Sequence, residues 1–140
     1  MVIPQSVLDA VIRQAYDELP NEACGLLVGL NGQVHQHYPL NNVDHSPEHF
    51  SFDPKEQFRV LKEARADGLK IIANYHSHPA TPARPSQEDI RLAYDPDIIY
   101  LIVSLAGEKP DAKAFSIRNG AVTPVEIEIK HGSIGASASR

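Results

Sequence analysis

The residues best equipped for chemistry in this chain are His76 and His78, separated by Ser77. They are followed after seven residues by Ser86 and after two more by Asp89, with Glu22 far upstream beside an apolar run. Two imidazoles and a carboxylate can supply three ligands to a tetrahedral zinc ion and leave its fourth position open for water. A second carboxylate outside the ligand set can take a proton from that water. Together these groups are the minimum equipment for metal-assisted hydrolysis of an amide.

Each piece also has an ordinary explanation. A His-x-His pair is common without a metal, and the chain holds a second one, His35-Gln36-His37. That pair follows the Asn31-Gly32 turn with no comparable acid in a helix start, and it reads as the exposed face of a hairpin. Ser86-Gln87-Glu88-Asp89 is equally a capping arrangement, with Ser at the cap and an acid at the third helical position. The two readings are compatible. A cap that aims Asp89 back at the preceding loop makes it a third ligand, and Ser86 Oγ can still donate to a developing oxyanion. Glu22, after Pro20-Asn21, is by default a solvated loop residue. Its continuation, Ala23 to Gly29, reads as a buried strand, so Glu22 stands at the mouth of the core, where the role of general base is open to it. Cys24 lies inside that strand and reads as a small buried hydrophobe rather than a nucleophile. Arg84 could meet a substrate carboxylate but reads as solvated, and His45, His49 and His131 read as solvent-facing.

The elements that must position these residues alternate between helix and strand. Val7, Val11, Ala15 and Leu19 recur at helical spacing between Pro4 and Pro20, which predicts a first helix. Cys24 to Leu30 and Val34 to Leu40 flank Asn31-Gly32 and predict a β-hairpin. Asp53-Pro54-Lys55-Glu56 is a strong helix start, with Phe58, Leu61 and Ala64 expected on the buried face and Gly68 at the exit. Leu69 to Tyr75 predicts a buried central strand that delivers both histidines at its C-terminal end. Pro79, Pro82 and Pro85 exclude helix from the loop that follows. Ser86 opens a helix running to about Tyr94, and Ile98 to Leu105 is a second buried strand. Ala112 to Ile117 and Ala121 to Ile129, joined at Asn119-Gly120, predict a closing hairpin. The Gly- and Ser-rich end offers little to bury and reads as a mobile tail over 131–140.

Composition narrows the class. A chain of 140 residues with 42% hydrophobic content suits one domain, placed here at 1–130, and a net charge of -5 gives nucleic acid or an anionic membrane no electrostatic handle. The N-terminus carries no secretion signal and no stretch is long enough to span a bilayer, so a soluble, cytoplasmic protein is expected. With Cys24 as the single cysteine, neither a disulfide nor a multi-cysteine zinc cage can form. A tightly held metal must use His and carboxylates; iron or cobalt would suit this donor set too, with zinc the expectation.

Glu22 before Ala-Cys-Gly-Leu-Leu-Val-Gly, then His76-Ser-His78, seven residues, Ser86, two residues and Asp89, resembles the complete signature of the JAMM (MPN-plus) metalloprotease family, over roughly residues 5 to 130. The resemblance implies an α/β fold: a mixed sheet flanked by helices in the three-layer architecture of the cytidine deaminases, whose cysteine ligands are absent here. It implies zinc held by His76, His78 and Asp89, with Glu22 as general base and Ser86 steadying the oxyanion. The bond cut in this family follows the C-terminal glycines of a ubiquitin-like protein, whose extended tail would lie beside a strand near the site. The compact bacterial-type members resemble hydrolases that release cysteine from a ubiquitin-like sulfur carrier protein with a Gly-Gly tail. A general isopeptidase for another small modifier is an alternative within the class. A non-catalytic MPN-type interaction scaffold is the alternative outside it, although a scaffold has no need of five matching polar residues.

Overall fold

The computed structural model describes residues 1–131. In chain order these form β1 (Val2–Pro4), α1 (Gln5–Asp17), β2 (Cys24–Leu30), β3 (Gln33–Leu40), α2 (Pro54–Ala66), β4 (Lys70–His78), α3 (Gln87–Arg91), β5 (Ile99–Ser104), β6 (Asp111–Arg118), β7 (Ala121–Val125) and β8 (Glu128–Lys130). Asn31 and Gly32 have φ of 54° and 76°, and Asn119 and Gly120 have 51° and 82°. Two successive left-handed residues are what a two-residue hairpin loop demands, and these loops close β2 on β3 and β6 on β7.

The strands form one mixed sheet in the order β7-β6-β5-β4-β2-β3-β1-β8. The β4–β5, β1–β3 and β1–β8 pairs are parallel, and the remaining pairs are antiparallel. β7 and β8 stand at opposite edges, yet Glu126 and Ile127 alone connect them. Three Cα steps reach about 10–11 Å, whereas seven flat strand spacings would part the edges by about 33 Å. The sheet therefore curls until its edges approach. One face packs on Leu8, Val11 and Ala15 of α1 through Leu27, Ala73, Tyr75, Leu101 and Val103. The alternate residues face the other way: Cys24, Leu26 and Val28 toward Val60 and Ala64 of α2, and Tyr100 and Ile102 toward Ile90 of α3. Helices thus flank both faces of a mixed sheet, the α/β architecture that the sequence led us to expect.

Several boundaries differ from expectation for identifiable reasons. The anticipated strand Ala121 to Ile129 is two strands. After Val125 the chain leaves β6, and Glu128–Lys130 pairs with β1, which the sequence did not signal at all. Phe58 lies 61% exposed while Val60 and Ala64 form the buried face of α2, because the helix meets the sheet along a stripe displaced from the one inferred. Leu19 lies 44% exposed beyond the end of α1. The helix after Ser86 stops at Arg91 rather than Tyr94. There Asp95 precedes a proline, which disfavours helix, accepts a bond from the Asp97 amide at 2.8 Å, and gives its carbonyl to the Tyr100 hydroxyl at 2.8 Å. The expected tail lies, beyond His131, outside the described residues.

Candidate metal centre

In β4 successive side chains alternate between faces, so His76 and His78 point together while Ser77 points away. His76 sits opposite Cys24 of β2 and Ile102 of β5, in the middle of the sheet, and both imidazoles are buried. The proline loop after His78 is pinned by Ser104 Oγ, which donates to the Thr81 carbonyl at 2.6 Å, and by the Leu105 amide, which donates to the His78 carbonyl at 3.0 Å. It delivers Ser86 as the cap of α3. The Asp89 amide donates to Ser86 Oγ at 3.0 Å and the Ser86 amide donates to Asp89 Oδ2 at 2.9 Å, a reciprocal capping box. The hydroxyl proton of Ser86 is left free for another acceptor.

These constraints bring His76 Nε2, His78 Nε2 and Asp89 Oδ2 into a triangle with all three edges at 3.1 Å. Zinc–ligand distances of about 2.0–2.1 Å in a tetrahedron place ligand atoms about 3.3 Å apart, so the triangle is within a few tenths of an ångström of a metal's requirement. The proton count points the same way. His78 Nδ1 lies 2.8 Å from the Pro82 carbonyl, which holds a proton on that nitrogen, so that in the neutral imidazole Nε2 is a lone pair. With both imidazoles neutral, at most one proton, on His76 Nε2, lies among the three convergent atoms. Among the described residues this is the one group of three His, Cys, Asp or Glu side chains that could hold a metal ion.

Electrostatics follow from burial and proximity. Burial opposes the charged form of Asp89, but hydrogen bonding with His76 and His78 in the metal-free site, the charge of His76 and the Ser86 amide outweigh it and hold the carboxyl well below the usual range. Burial pushes His76 down against the pull of Asp89. At His78 burial acts in the same direction, but Asp89, the Pro82 carbonyl and the charge of Glu22 together raise it. Glu22 is 3% exposed, and its Oε1 is buried without a hydrogen-bond partner. Burial, reinforced by Asp89, Glu88 and Glu48 and opposed by His78, pushes its carboxyl up to about 8. A cation among His76, His78 and Asp89 would favour its ionised form.

The structure thus gathers His76, His78, Asp89 and Ser86 directly, and sets Glu22 at the head of β2 within the field of His78 and Asp89. The other candidates stay apart. His35 is exposed, and His37 is half-buried with its ring 6.4 Å from that of Tyr75. Cys24 is fully buried, and burial pushes its thiol up to about 12, a neutral hydrophobe at ordinary pH. His45 and His49 are exposed, as is Arg84.

Three contributors escaped the sequence reading. Ser77 Oγ accepts the Ala23 amide at 2.7 Å and the Ser77 amide donates to the Ala23 carbonyl at 3.0 Å, so the residue between the histidines fastens the backbone beside Glu22. Phe50 stacks on His76 with ring centres 4.6 Å apart. Asn42, 6% exposed, donates to the Glu22 carbonyl at 3.1 Å. A polar residue interrupting a buried apolar strand was a usable signal for Ser77; Phe50 and Asn42 lie in a loop without periodicity. A cavity of about 980 Å³ between α2 and α3 opens onto His76 and Asp89 over a floor that includes Leu26, Ile71, Tyr100 and Ile102.

Residues 4–118 match the family of prokaryotic homologues of the JAB domain. The chain is 34% identical over 133 residues to the CysO-cysteine peptidase of Mycobacterium tuberculosis, covering 92% of this chain and 90% of that protein. It is 36% identical over 94 residues to the probable TtuB-protein conjugate cleaving protease of Thermus thermophilus, covering 66% and 63% respectively. The solution structure of protein DSY2949 from Desulfitobacterium hafniense superposes with a TM-score of 0.86 at 49% identity, covering 94% of each chain. With its polar signature assembled on this fold, the chain belongs to the prokaryotic JAB-domain family of JAMM type.

Proposed function

We propose that this chain is a cytoplasmic zinc-dependent hydrolase that cleaves the peptide bond after the C-terminal glycine of a ubiquitin-like protein, releasing cysteine from a sulfur carrier protein. The observation that carries the reading is the convergence of two Nε2 atoms and one carboxylate oxygen at 3.1 Å beside an unpartnered buried carboxylate. The family and the peptidase relative that shares a third of its residues support the choice of substrate.

His76, His78 and Asp89 would hold the metal, which when bound acidifies a water and polarises the scissile carbonyl. Glu22, excluded from the ligand triangle and ionised by a cation beside it, takes the proton of the attacking water and passes it to the leaving amine. The Ser86 hydroxyl donates to the carbonyl oxygen as negative charge grows there. The His76 and His78 side chains are themselves buried from bulk water. The relative described as cleaving protein conjugates favours a second reading, an isopeptidase for another small modifier. The two separate by incubating the metal-loaded chain with one carrier protein extended at its terminal Gly-Gly either by cysteine or, through an isopeptide bond, by a lysine peptide. Preferential release of cysteine supports the first reading, preferential release of the lysine peptide the second, and cleavage of neither defeats both.

A further inference from the structure

The loop between β3 and α2 is wired around one buried amide. Asn42 Nδ2 donates to the carbonyls of Glu22 at 3.1 Å, His49 at 3.0 Å and Ser46 at 3.5 Å, while its Oδ1 accepts the amides of Asp44 at 3.0 Å and Ser51 at 3.3 Å. The Glu22 amide in turn donates to the Ser46 carbonyl at 2.8 Å. Outside this hub, Asp44 Oδ2 takes Ser51 Oγ at 2.8 Å and His49 Nδ1 at 3.0 Å. The two residues on either side of Phe50 are therefore tied to one carboxylate, and Phe50 between them lies on the His76 ring at 26°. Every bond of the hub ends on backbone, and an all-backbone set cannot be satisfied by an apolar side chain of the same size.

We infer that Asn42 is a positioning residue of the metal centre: it fixes the backbone of Glu22 and the seat of Phe50 on His76 together, without touching metal or substrate. Glu22 Oε1 has no hydrogen-bond partner among the described residues, so the placement of Glu22 comes from its backbone, held on one side by Ser77 through Ala23 and on the other by Asn42 and Ser46. The kinetic part of this inference rests on the proposed function; the structural part stands without it.

The test compares Asn42→Asp, which keeps the acceptor and loses the donors, with Asn42→Ala and with Val11→Ala, a core variant in α1 on the face of the sheet opposite the two histidines, chosen to lower the melting temperature without approaching the site. Hydrogen exchange, Co²⁺ titration of the metal-stripped chain, and kcat and KM on the cysteine-extended carrier are read in parallel. Both Asn42 variants are expected to lose exchange protection in residues 20–24 and 41–51 alone and to bind Co²⁺ within roughly tenfold of the parent. They should lose roughly 10- to 100-fold in kcat, the range typical of groups that orient a metal site, with KM nearly unchanged. At matched melting temperature Val11→Ala should retain its kcat. Exchange spread over the whole sheet, or a kcat loss no larger than that of Val11→Ala, overturns the inference. If neither Asn42 variant folds, Asp44→Ala decides, since Asp44 is exposed and restrains the same loop. Local loss of protection with a smaller fall in kcat supports the inference, and no change in either overturns it. If the parent chain cleaves nothing, the proposed function has failed, and the exchange and Co²⁺ results alone decide whether Asn42 positions this site.

Discussion

Replacing Glu22 by Gln should stabilise the metal-free protein at alkaline pH, because the residue assigned to catalysis is a burden on the fold. The Glu22 carboxyl has an ordinary value of 4.5 and is pushed up to about 8. Between those values the native chain holds a proton that the unfolded chain has released, so stability falls as pH rises, by about 1.4 kcal/mol per unit, and levels off above the folded value. Below 4.5 both states are protonated and the difference vanishes. From pH 5 to pH 9 the loss integrates to about 4 kcal/mol, and Gln, which does not titrate, avoids it. For a chain of this size that corresponds to a relative gain of about 10 °C in melting temperature. The assay is urea and thermal unfolding of both proteins in a chelator at pH 5 and pH 9. Comparing the change between the two pH values cancels any fixed cost of burying the amide. Zinc should abolish much of the advantage, because a cation beside Glu22 favours its charged form. The reasoning is refuted if the gap between Glu22→Gln and the parent is the same at both pH values in the chelator.

Three further outcomes follow from the geometry. Ser86→Ala removes a helix cap and should cost about 1 kcal/mol of stability, but about 100-fold in kcat if its hydroxyl serves the oxyanion; Ser86→Thr should recover most of the stability, as chemical denaturation and steady-state kinetics would show. Asp89→Ala removes one of the three proposed ligands and should lower zinc affinity far more than the roughly 10- to 100-fold typical of a supporting residue, measured by competition with a chromophoric chelator. Gly25→Ala should destabilise the fold by about 1–3 kcal/mol: a Cβ there would collide with the Tyr75 hydroxyl and the Tyr38 carbonyl. It should also disturb the link in which Gln14 accepts the Tyr75 hydroxyl at 2.6 Å and donates to the Cys24 carbonyl at 3.0 Å.

The convergence of His76, His78 and Asp89 was legible in the sequence because it obeys local rules. Strand alternation put His76 and His78 on one face, and the Ser86 cap dictated where Asp89 points, both short-range consequences of residue type and spacing. The same locality gave the two hairpins through their Asn-Gly loops. What stayed hidden is what only tertiary contact creates. β8 exists because the curled sheet brings its edges together, so that Glu128–Lys130 can pair with a three-residue β1 that has no periodicity of its own. Phe58 looked like core because a helix pattern admits adjacent stripes, and the sheet chose the stripe of Val60 and Ala64. Asn42 and Phe50 occupy a loop where neither repeat nor spacing distinguishes a solvated residue from a buried hub.

The most direct test of the account is mass-spectrometric detection of cysteine release from a β-grasp sulfur carrier ending in Gly-Gly-Cys. It would be run with the zinc-loaded chain, the same chain stripped by chelator, and zinc-loaded Glu22→Gln. The account predicts release by the first alone, with one equivalent of zinc in both loaded proteins. Release that survives chelation or the loss of the Glu22 carboxylate would contradict it, as would a fully loaded, folded chain that leaves the Gly–Cys bond intact.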